Sequence, residues 1–505
     1  MKSLLLAFLF AATISHGADR PPNVIFILAD DLGPGDLGCY GQKIIRTPNI
    51  DRMAAEGMRF TQHYCGNAVC APSRSVLMTG KHPGHTFIRD NREAANAKGL
   101  GSAGKPEHEG QHPIPADTVT MAKVFKTMGY VSGGFGKWGL GGPESDGAPL
   151  KQGFDRWFGY NSQGVAHNFY PTYLWDNDRT IDLKNPPFNA HDTFKPGEDP
   201  AKPESYKRFQ GSEYSADLIA EQALKFARDN KDKPFFLYWP TTVPHLALQV
   251  PDDSLAEYIG KFEDAPYAGG NGYLPHFKPR AAYAAMITRM DREVGKMMAL
   301  ISELGLDDNT IFIFASDNGP LNGTHQALAG TDCAFFNSNQ GLRDGKGTLY
   351  EGGIRSPGIV RWKGKVKPGT TSARVTGFED WIPTLTEIAG AKDKTPAGLD
   401  GISFAPTLLG QQQPGRDFLY REFGGYGGQQ SVRVGDWKIV RQKLATGPKA
   451  KGDPAPLELY DLAKDPAETT SVAAQHPDVV EKLTAVLRAQ HLKSADFPIR
   501  ALDGE

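Results

Sequence analysis

Residues 24–29 read VIFILA and run into Asp30-Asp31, while residues 310–316 read TIFIFAS and run into Asp317-Asn318. Each run is apolar through its middle, which is typical of a strand covered on both faces. The carboxyl ends of parallel strands share one edge of a sheet, and ligands bind at that edge. The sequence therefore predicts that three carboxylates and one amide oxygen converge at one sheet edge.

Amphipathic stretches alternate with short apolar runs along most of the chain. Helices are predicted over 49–57, 118–128, 212–230 and 281–304, and further strands over 132–136 and 234–239. This alternation predicts an α/β fold with a large mixed, mainly parallel sheet sandwiched by helices. Near the end, antiparallel strands over 417–423, 431–442 and 457–461 and a helix over 476–492 predict a smaller α+β subdomain.

The first 17 residues, MKSLLLAFLFAATISHG, differ from the rest of the chain. Lys2 precedes a short apolar run, and the small residues Ser15 and Gly17 suit cleavage before Ala18. The run is too short to span a membrane, although an anchoring helix is the alternative. We expect a signal peptide at 1–17, a catalytic domain at 18–410 and a C-terminal subdomain at 411–505. The mature protein is expected to be periplasmic or secreted, without membrane association.

Composition excludes several classes of protein. Lys and Arg number 56 against 58 Asp and Glu, so the net charge of −2 excludes a nucleic-acid binder that relies on bulk positive charge. A hydrophobic content of 39% is enough for a large core. The four cysteines, Cys39, Cys65, Cys70 and Cys333, allow at most two disulfides.

The acidic residues at the predicted sheet edge indicate a metal site. Adjacent buried carboxylates repel each other, and a divalent cation relieves that repulsion. Ligation by oxygen alone suits calcium or magnesium better than zinc. The alternative is that Asp and Asn serve as turn and cap residues, but two such pairs after two apolar strands favour a metal.

The segment at 70–80, CAPSRSVLMTG, carries the strongest chemical signal. Pro72 and Ser73 are helix-start residues, so Cys70 would lie at the positive end of a helix, beside Arg74. A thiolate nucleophile is one interpretation and a small buried cysteine is the other. Lys137, within GGFGKWGLGG, and His245 follow two further predicted strands, although a surface lysine and a structural histidine are the alternatives.

The order Cys-x-Pro-Ser-Arg followed by Thr-Gly resembles the signature of the type I sulfatases, in the alkaline phosphatase-like superfamily. The resemblance covers nearly all of the mature chain and includes TPNIDRMAAEG, GKWGLG, VPH, SDNG at 316–319, GLRDGKGTLYEGGIR at 341–355 and LYDLAKDP. It implies the alkaline phosphatase-like fold and a sulfuric ester hydrolase.

The resemblance also implies the cofactors. A calcium ion, with magnesium less expected, would be bound by Asp30, Asp31, Asp317, Asn318 and the modified Cys70. A maturation enzyme would oxidise Cys70 to formylglycine, an aldehyde. In this family the hydrated aldehyde attacks sulfur through one hydroxyl and releases sulfate when the other loses its proton.

Further roles follow from the same resemblance. Arg74 would orient formylglycine, Lys137 and Lys346 would hold sulfate oxygens, and His245 is a candidate acid for the leaving alcohol. The chain departs from the family at Gly139, where members often have a histidine. His167 is a candidate replacement or a sugar contact, with a rim histidine as the alternative. Ser162 is a second candidate for contact with the substrate.

The predicted substrate is a sulfated carbohydrate. Export, the long loops at 94–115 and 185–209, and an aromatic cluster that could stack on a sugar support this prediction, although the cluster could instead pack at a domain edge. The cluster comprises Phe169, Tyr170, Tyr173 and Trp175. The alternatives are a phosphate mono- or diester hydrolase on the same scaffold, a catalytically weak or silent glycan-binding homologue, and a thiol enzyme with unmodified Cys70.

Overall fold

The computed structural model describes residues 20–93, 106, 109–270, 272–324, 328–444 and 455–504. The predicted signal peptide at 1–17 lies outside the described residues, as do 94–105 and 107–108 of the first predicted loop. Among the helices of the described part, none combines the length and the apolar character that a membrane span requires.

A large sheet forms the centre of the molecule. Its strands are β1 (Asn23–Ala29), β2 (Met58–Tyr64), β3 (Val131–Lys137), β4 (Arg156–Tyr160), β5 (Tyr173–Asp176), β6 (Arg179–Asp182), β7 (Phe235–Pro240), β8 (Thr310–Ser316), β9 (Arg355–Arg361), β10 (Thr370–Ser372) and β11 (Thr376–Gly377). Their spatial order is β10-β2-β9-β8-β1-β7-β3-β4-β5-β6, with β11 also paired to β2. The strands around β1 are parallel, whereas β9, β5 and β6 introduce antiparallel pairs. The predicted mixed, mainly parallel sheet is confirmed.

The pairing of β1 with β8 sets the position of the chemistry. The two strands are parallel and in register from Asn23 opposite Thr310 to Ala29 opposite Ser316. The residues that follow each strand therefore leave the sheet side by side. This is the arrangement that the two apolar runs predict.

Helices cover both faces of this sheet. The helices of the described residues are α1 (Pro48–Ala55), α2 (Cys70–Thr79), α3 (Met121–Thr127), α4 (Ser215–Asp229), α5 (Asp252–Leu255), α6 (Pro279–Glu303), α7 (Cys333–Phe336), α8 (Glu351–Ile354), α9 (Trp381–Ile388), α10 (Ala405–Leu408), α11 (Pro477–Gln490) and α12 (Arg500–Asp503). Of these, α11 packs against the smaller antiparallel sheet near the C-terminus. Alternate residues of β1 face opposite ways: Ile25 and Ile27 belong to one core and Phe26 to the other. Both faces of the strand are buried, which explains its continuous apolar sequence.

A second, antiparallel sheet lies near the C-terminus. Its strands are β12 (Leu419–Phe423), β13 (Gln429–Val434), β14 (Trp437–Gln442) and β15 (Glu458–Asp461), in that spatial order. The prediction of one strand over 431–442 is wrong. The chain reverses at Gly435 and Asp436, so that β13 and β14 form a hairpin. Gly435 has a φ of +59°, a conformation that is unfavourable for residues with a Cβ.

The second sheet supports the loop that carries Lys346. Gln429 donates to the carbonyl of Gly347 at 2.7 Å and accepts from the amide of Leu349 at 3.0 Å. Lys438 of β14 lies 2.9 Å from both Glu351, the first residue of α8, and Glu468. The Lys438 amino group is buried between these two carboxyl groups.

Replacing Lys438 tests this support. Lys438→Met would leave Glu351 buried with fewer cationic partners, so the free energy of unfolding should fall by about 3 kcal/mol. This value is at the low end for a broken buried ion pair, because Arg355 still contacts Glu351. Urea denaturation measures the change. The control is Lys464→Met, because Lys464 pairs with Asp461 while 83% exposed and should cost less than about 0.5 kcal/mol. Equal losses would contradict a supporting role for Lys438.

Candidate active site

The four predicted oxygen ligands meet at the carboxyl end of β1 and β8. Asp30, Asp31, Asp317 and Asn318 are all buried. The amide of Asp31 donates to Asp317 Oδ1 at 3.3 Å, and Asn318 Nδ2 donates to Asp31 Oδ1 at 2.7 Å. The structure thus brings together residues that are far apart in the sequence.

Cys70 lies against this cluster as the first residue of α2. Its Sγ is 3.3 Å from Asp30 Oδ1, 3.5 Å from Lys137 Nζ and 3.7 Å from Lys346 Nζ. Lys137 is the last residue of β3, and Lys346 lies in the loop before α8. A buried thiol is therefore flanked by two amino groups that lie 209 residues apart in the sequence, at positions 137 and 346.

Cations and carboxylates alternate around the thiol. Lys137 Nζ lies 2.7 Å from Asp30 Oδ2, and Lys346 Nζ lies 2.7 Å from Asp31 Oδ1. Arg74 binds Asp317 Oδ2 at 2.8 Å and donates to the carbonyl of Lys137. Arg74, four residues after Cys70, thus links α2 both to the acidic cluster and to β3.

The pKa values of two carboxyl groups in this cluster shift in opposite directions. Burial, and then the neighbouring Asp30 carboxylate, raise the pKa of Asp317 to about 6. Burial would also raise the pKa of Asp30, but Lys137 and the other nearby cations hold it well below its usual range. The two pKa values shift in opposite directions because Asp30 lies closer to the Lys137 cation, whereas burial and the charge of Asp30 dominate at Asp317.

The residues present fit a hard divalent cation. Asn318 Oδ1 is buried without a hydrogen-bond partner, although its own Nδ2 is satisfied. Ligand atoms of Asp30, Asp31, Cys70 and His245 lie within 4.8 Å of one another. Carboxylate and amide oxygens are the donors that calcium and magnesium prefer.

Four aromatic rings, three of them histidines, lie beside this cluster. His245 Nε2 is 3.5 Å from Asp31 Oδ2, and the His245 ring stacks on His167 with centroids 4.4 Å apart. His167 Nδ1 is in turn 3.5 Å from His191 Nε2, and the Tyr273 ring lies 5.5 Å from His167. His191 and Tyr273 are missed by the sequence analysis, because each lies in a long loop without a distinctive motif.

The protonation of His245 follows from its partners. The carbonyl of Leu246, 2.5 Å from Nδ1, can only accept, so the proton of the neutral ring is on Nδ1. Burial, and then Lys346, lower the pKa of His245 to about 4. The acid role remains a prediction, and it requires the ring to gain a second proton on Nε2.

Two predicted substrate contacts are not part of this arrangement. Ser162 donates through its backbone amide to Glu109 and accepts from the amide of Val165 through Oγ, so these two hydrogen bonds stabilise its own loop. The aromatic cluster is buried, and Tyr173 and Trp175 donate to Glu109 at 2.9 and 2.6 Å. The prediction that these aromatic rings stack on a sugar is wrong, because they pack inside the fold.

The cysteines show no disulfide: all four are free. Burial, and then the Asp30 carboxylate, raise the pKa of the Cys70 thiol. A thiolate at neutral pH is therefore disfavoured, and with it the alternative of a thiol enzyme.

Comparisons with known proteins agree with this geometry. The sulfatase family model matches residues 22–391, and a model described as N-sulphoglucosamine sulphohydrolase, C-terminal, matches residues 340–493. Arylsulfatase A of Homo sapiens is 32% identical, with 100% of this chain and 94% of that protein covered. N-acetylgalactosamine-6-O-sulfatase of Bacteroides thetaiotaomicron is 30% identical, with 93% of each covered.

A solved structure extends the likeness to three dimensions. It comes from work on glycosaminoglycan metabolism by Bacteroides thetaiotaomicron, has a TM-score of 0.68 at 28% identity, and covers 93% of this chain and 99% of its own. The matched region of the family model includes every residue of the cluster around Cys70. The chain therefore belongs to the sulfatase family, within the alkaline phosphatase-like superfamily, and is a sulfate ester hydrolase.

Proposed function

We propose that the protein releases sulfate from sulfated carbohydrates through a formylglycine formed from Cys70. The observation that carries the proposal is the placement of two amino groups, from Lys137 and Lys346, at 3.5 and 3.7 Å from Cys70 Sγ. Two convergent cations beside one nucleophile position suit an anion with several equatorial oxygens.

The bound cation would be calcium, with magnesium as the second choice. Asp30, Asp31, Asp317, Asn318 and the modified residue 70 would hold it, and it would supply positive charge that polarises a sulfate oxygen. Lys137 and Lys346, which pair with Asp30 and Asp31 in the structure, would be available to donate to the substrate once those carboxylates held the cation. Their charge then stabilises the negative charge that develops on the sulfate oxygens during transfer.

The formylglycine would supply a carbon that carries two hydroxyl groups once hydrated. Arg74 fixes this position, because it is held by Asp317 and by the carbonyl of Lys137. His245 lies on the other side of the cluster, 3.5 Å from Asp31, where it can contact the leaving alcohol.

The carbohydrate substrate is supported by the relatives and by the rings beside the site. A relative that matches 93% of this chain is named for N-acetylgalactosamine 6-sulfate. His167, His191 and Tyr273 form an aromatic wall next to His245, suited to the face of a sugar ring. The structure of the site does not favour a phosphate ester over a sulfate ester.

The remaining parts of the proposal concern the chain as a whole. We propose an export signal at 1–17, a catalytic domain at 18–410 and a subdomain at 411–505, supported by the separate antiparallel sheet that begins at Leu419. A maturation enzyme would act on Cys70, and the exported protein would meet polysaccharides in the periplasm or outside the cell.

The nucleophile assignment is tested by sulfate release. Protein produced together with a formylglycine-generating enzyme should liberate sulfate from N-acetylgalactosamine 6-sulfate or another member of a panel of sulfated mono- and oligosaccharides. Cys70→Ala should abolish release, because it removes the atom that is converted, while Cys39→Ala at a half-buried free thiol should retain it. Ion chromatography measures sulfate, and mass spectrometry of the peptide that contains residue 70 measures conversion. Turnover by Cys70→Ala would refute the assignment.

The choice between ester classes is tested on matched substrates. Because the matching family is that of the sulfatases and the two relatives are both named as sulfatases, we expect the matured protein to hydrolyse 4-nitrophenyl sulfate with a higher kcat/KM than 4-nitrophenyl phosphate. A phosphate preference would instead support the phosphoesterase alternative. Binding of sulfated sugars without any release, after complete conversion of Cys70, would support the glycan-binding alternative.

The metal site is tested by Asp317→Asn. Loss of one carboxylate should lower both the bound metal and the activity. The decrease should exceed the roughly 10–100-fold that is typical when a residue next to a metal ligand, and not the ligand itself, is replaced. Plasma emission spectrometry measures metal per protein. The matched control is Asp36→Asn, a buried carboxyl group that is bonded to Gly33, Tyr283 and Ser338. Retained metal in Asp317→Asn, or equal loss in both variants, would contradict the assignment.

A further inference from the structure

Position 139 lies two residues beyond Lys137 and has no side chain. Gly139 has a φ of +85°, a conformation that residues with a Cβ rarely adopt. A Cβ built at this position would lie 1.8 Å from Nε2 of Gln163. The space that a side chain at 139 would enter is therefore occupied by the amide of Gln163.

The Gln163 amide is buried without a partner. The residue is 4% exposed, and neither Nε2 nor Oε1 makes a hydrogen bond. A buried amide that lacks partners costs free energy, so native proteins rarely keep one without a reason. One such reason is a ligand that supplies the missing hydrogen bonds.

The backbone around Gln163 is well fixed. The backbone N–H of Gln163 donates to Gln111 Oε1 at 3.2 Å. The backbone N–H groups of Asn161 and Ser162 both donate to the buried Glu109 carboxylate. Gly139 in turn donates to the carbonyl of Asn161 at 3.1 Å. The side-chain amide is therefore held beside Gly139 by a rigid loop that follows β4.

The location links this amide to the reaction. β3 and β4 are parallel, with Lys137 opposite Tyr160, so Gly139 and Gln163 both follow the sheet edge at which the Cys70 cluster lies. His167, the predicted replacement for the missing family histidine or sugar contact, stacks on His245. Within the described residues, the side chain that enters the space at position 139 is that of Gln163.

We propose that Gln163 binds the sulfated substrate through its side-chain amide, an inference that rests on the proposed function. Nε2 donates a hydrogen bond to an oxygen of the sulfate ester, and Oε1 accepts one from a hydroxyl group of the sugar. A molecule that combines a sulfate group with neighbouring hydroxyl groups satisfies both halves of the amide, which a bare anion does not.

Binding measurements test the proposal without any turnover. In the Cys70→Ala background, isothermal titration with N-acetylgalactosamine 6-sulfate should show about ten- to a hundredfold weaker binding for Gln163→Met, because a hydrogen bond to a charged group is lost at constant volume. Gln163→Glu should bind more weakly than Gln163→Met, since a carboxylate repels sulfate. Unchanged affinity in both variants would overturn the proposal.

A matched buried glutamine separates binding from stability. Gln152 donates to the carbonyls of Pro115 and Asp146, so Gln152→Met should lower the melting temperature and leave affinity unchanged. Gln163 makes no side-chain hydrogen bonds, so Gln163→Met should melt close to the parent. If Gln163→Met melts as low as Gln152→Met while affinity is unchanged, Gln163 is structural and the proposal fails.

Gly139 supplies an independent test of the geometry. Gly139→Ala should displace the Gln163 amide and weaken binding as Gln163→Met does, and the double variant should lose little more than either single one. Additive losses would show that Gly139→Ala weakens binding without acting through the Gln163 amide, which would contradict the proposed coupling of the two positions. Sulfate release by the matured wild-type protein is measured separately. If no sulfate is released but Gln163→Met still weakens binding as expected, the proposed hydrolysis is refuted and the assignment of Gln163 stands.

Discussion

The alternation of buried carboxylates and cations at the end of β1 and β8 is the constraint on which the site depends. The carboxyl groups of Asp30, Asp31 and Asp317 lie close together because two apolar strands run side by side in register. The backbone amide of Asp31, for example, donates to Asp317 Oδ1. The repulsion between these carboxyl groups is offset by Arg74, Lys137 and Lys346, each from a different element. A cation at the carboxylates would let the lysines exchange those partners for an anionic substrate, so the same charges serve both the folded protein and the chemistry.

The second sheet takes part in this arrangement at a distance. Gln429 of β13 fixes the loop that follows Lys346 through two hydrogen bonds to its backbone, one to the carbonyl of Gly347 and one from the amide of Leu349. Lys438 of β14 holds the start of α8, which follows the same loop. One of the two amino groups beside Cys70 is therefore positioned by the C-terminal part of the chain.

The sequence predicts the centre of the fold and of the site because both depend on short local patterns. Continuous apolar strands followed by acidic residues predict the β1–β8 edge, and the motif around Cys70 predicts the helix that begins there. Contacts set by long loops are not predictable in this way: His191 and Tyr273 lie beside His167, and Gln163 lies beside Gly139, only through tertiary packing. The hairpin within 431–442 is missed because a two-residue turn interrupts an otherwise uniform apolar and polar pattern.

The burial of α2 has a consequence for the order of events in the life of the protein. All ten residues of this helix are buried, and Cys70 is 1% exposed, packed between the sheet edge and the lysines. An enzyme that oxidises Cys70 needs the surrounding segment in its own active site, which the folded chain does not allow. The proposed conversion to formylglycine would therefore have to take place before the chain folds, and a molecule that folds first would keep the Cys70 thiol.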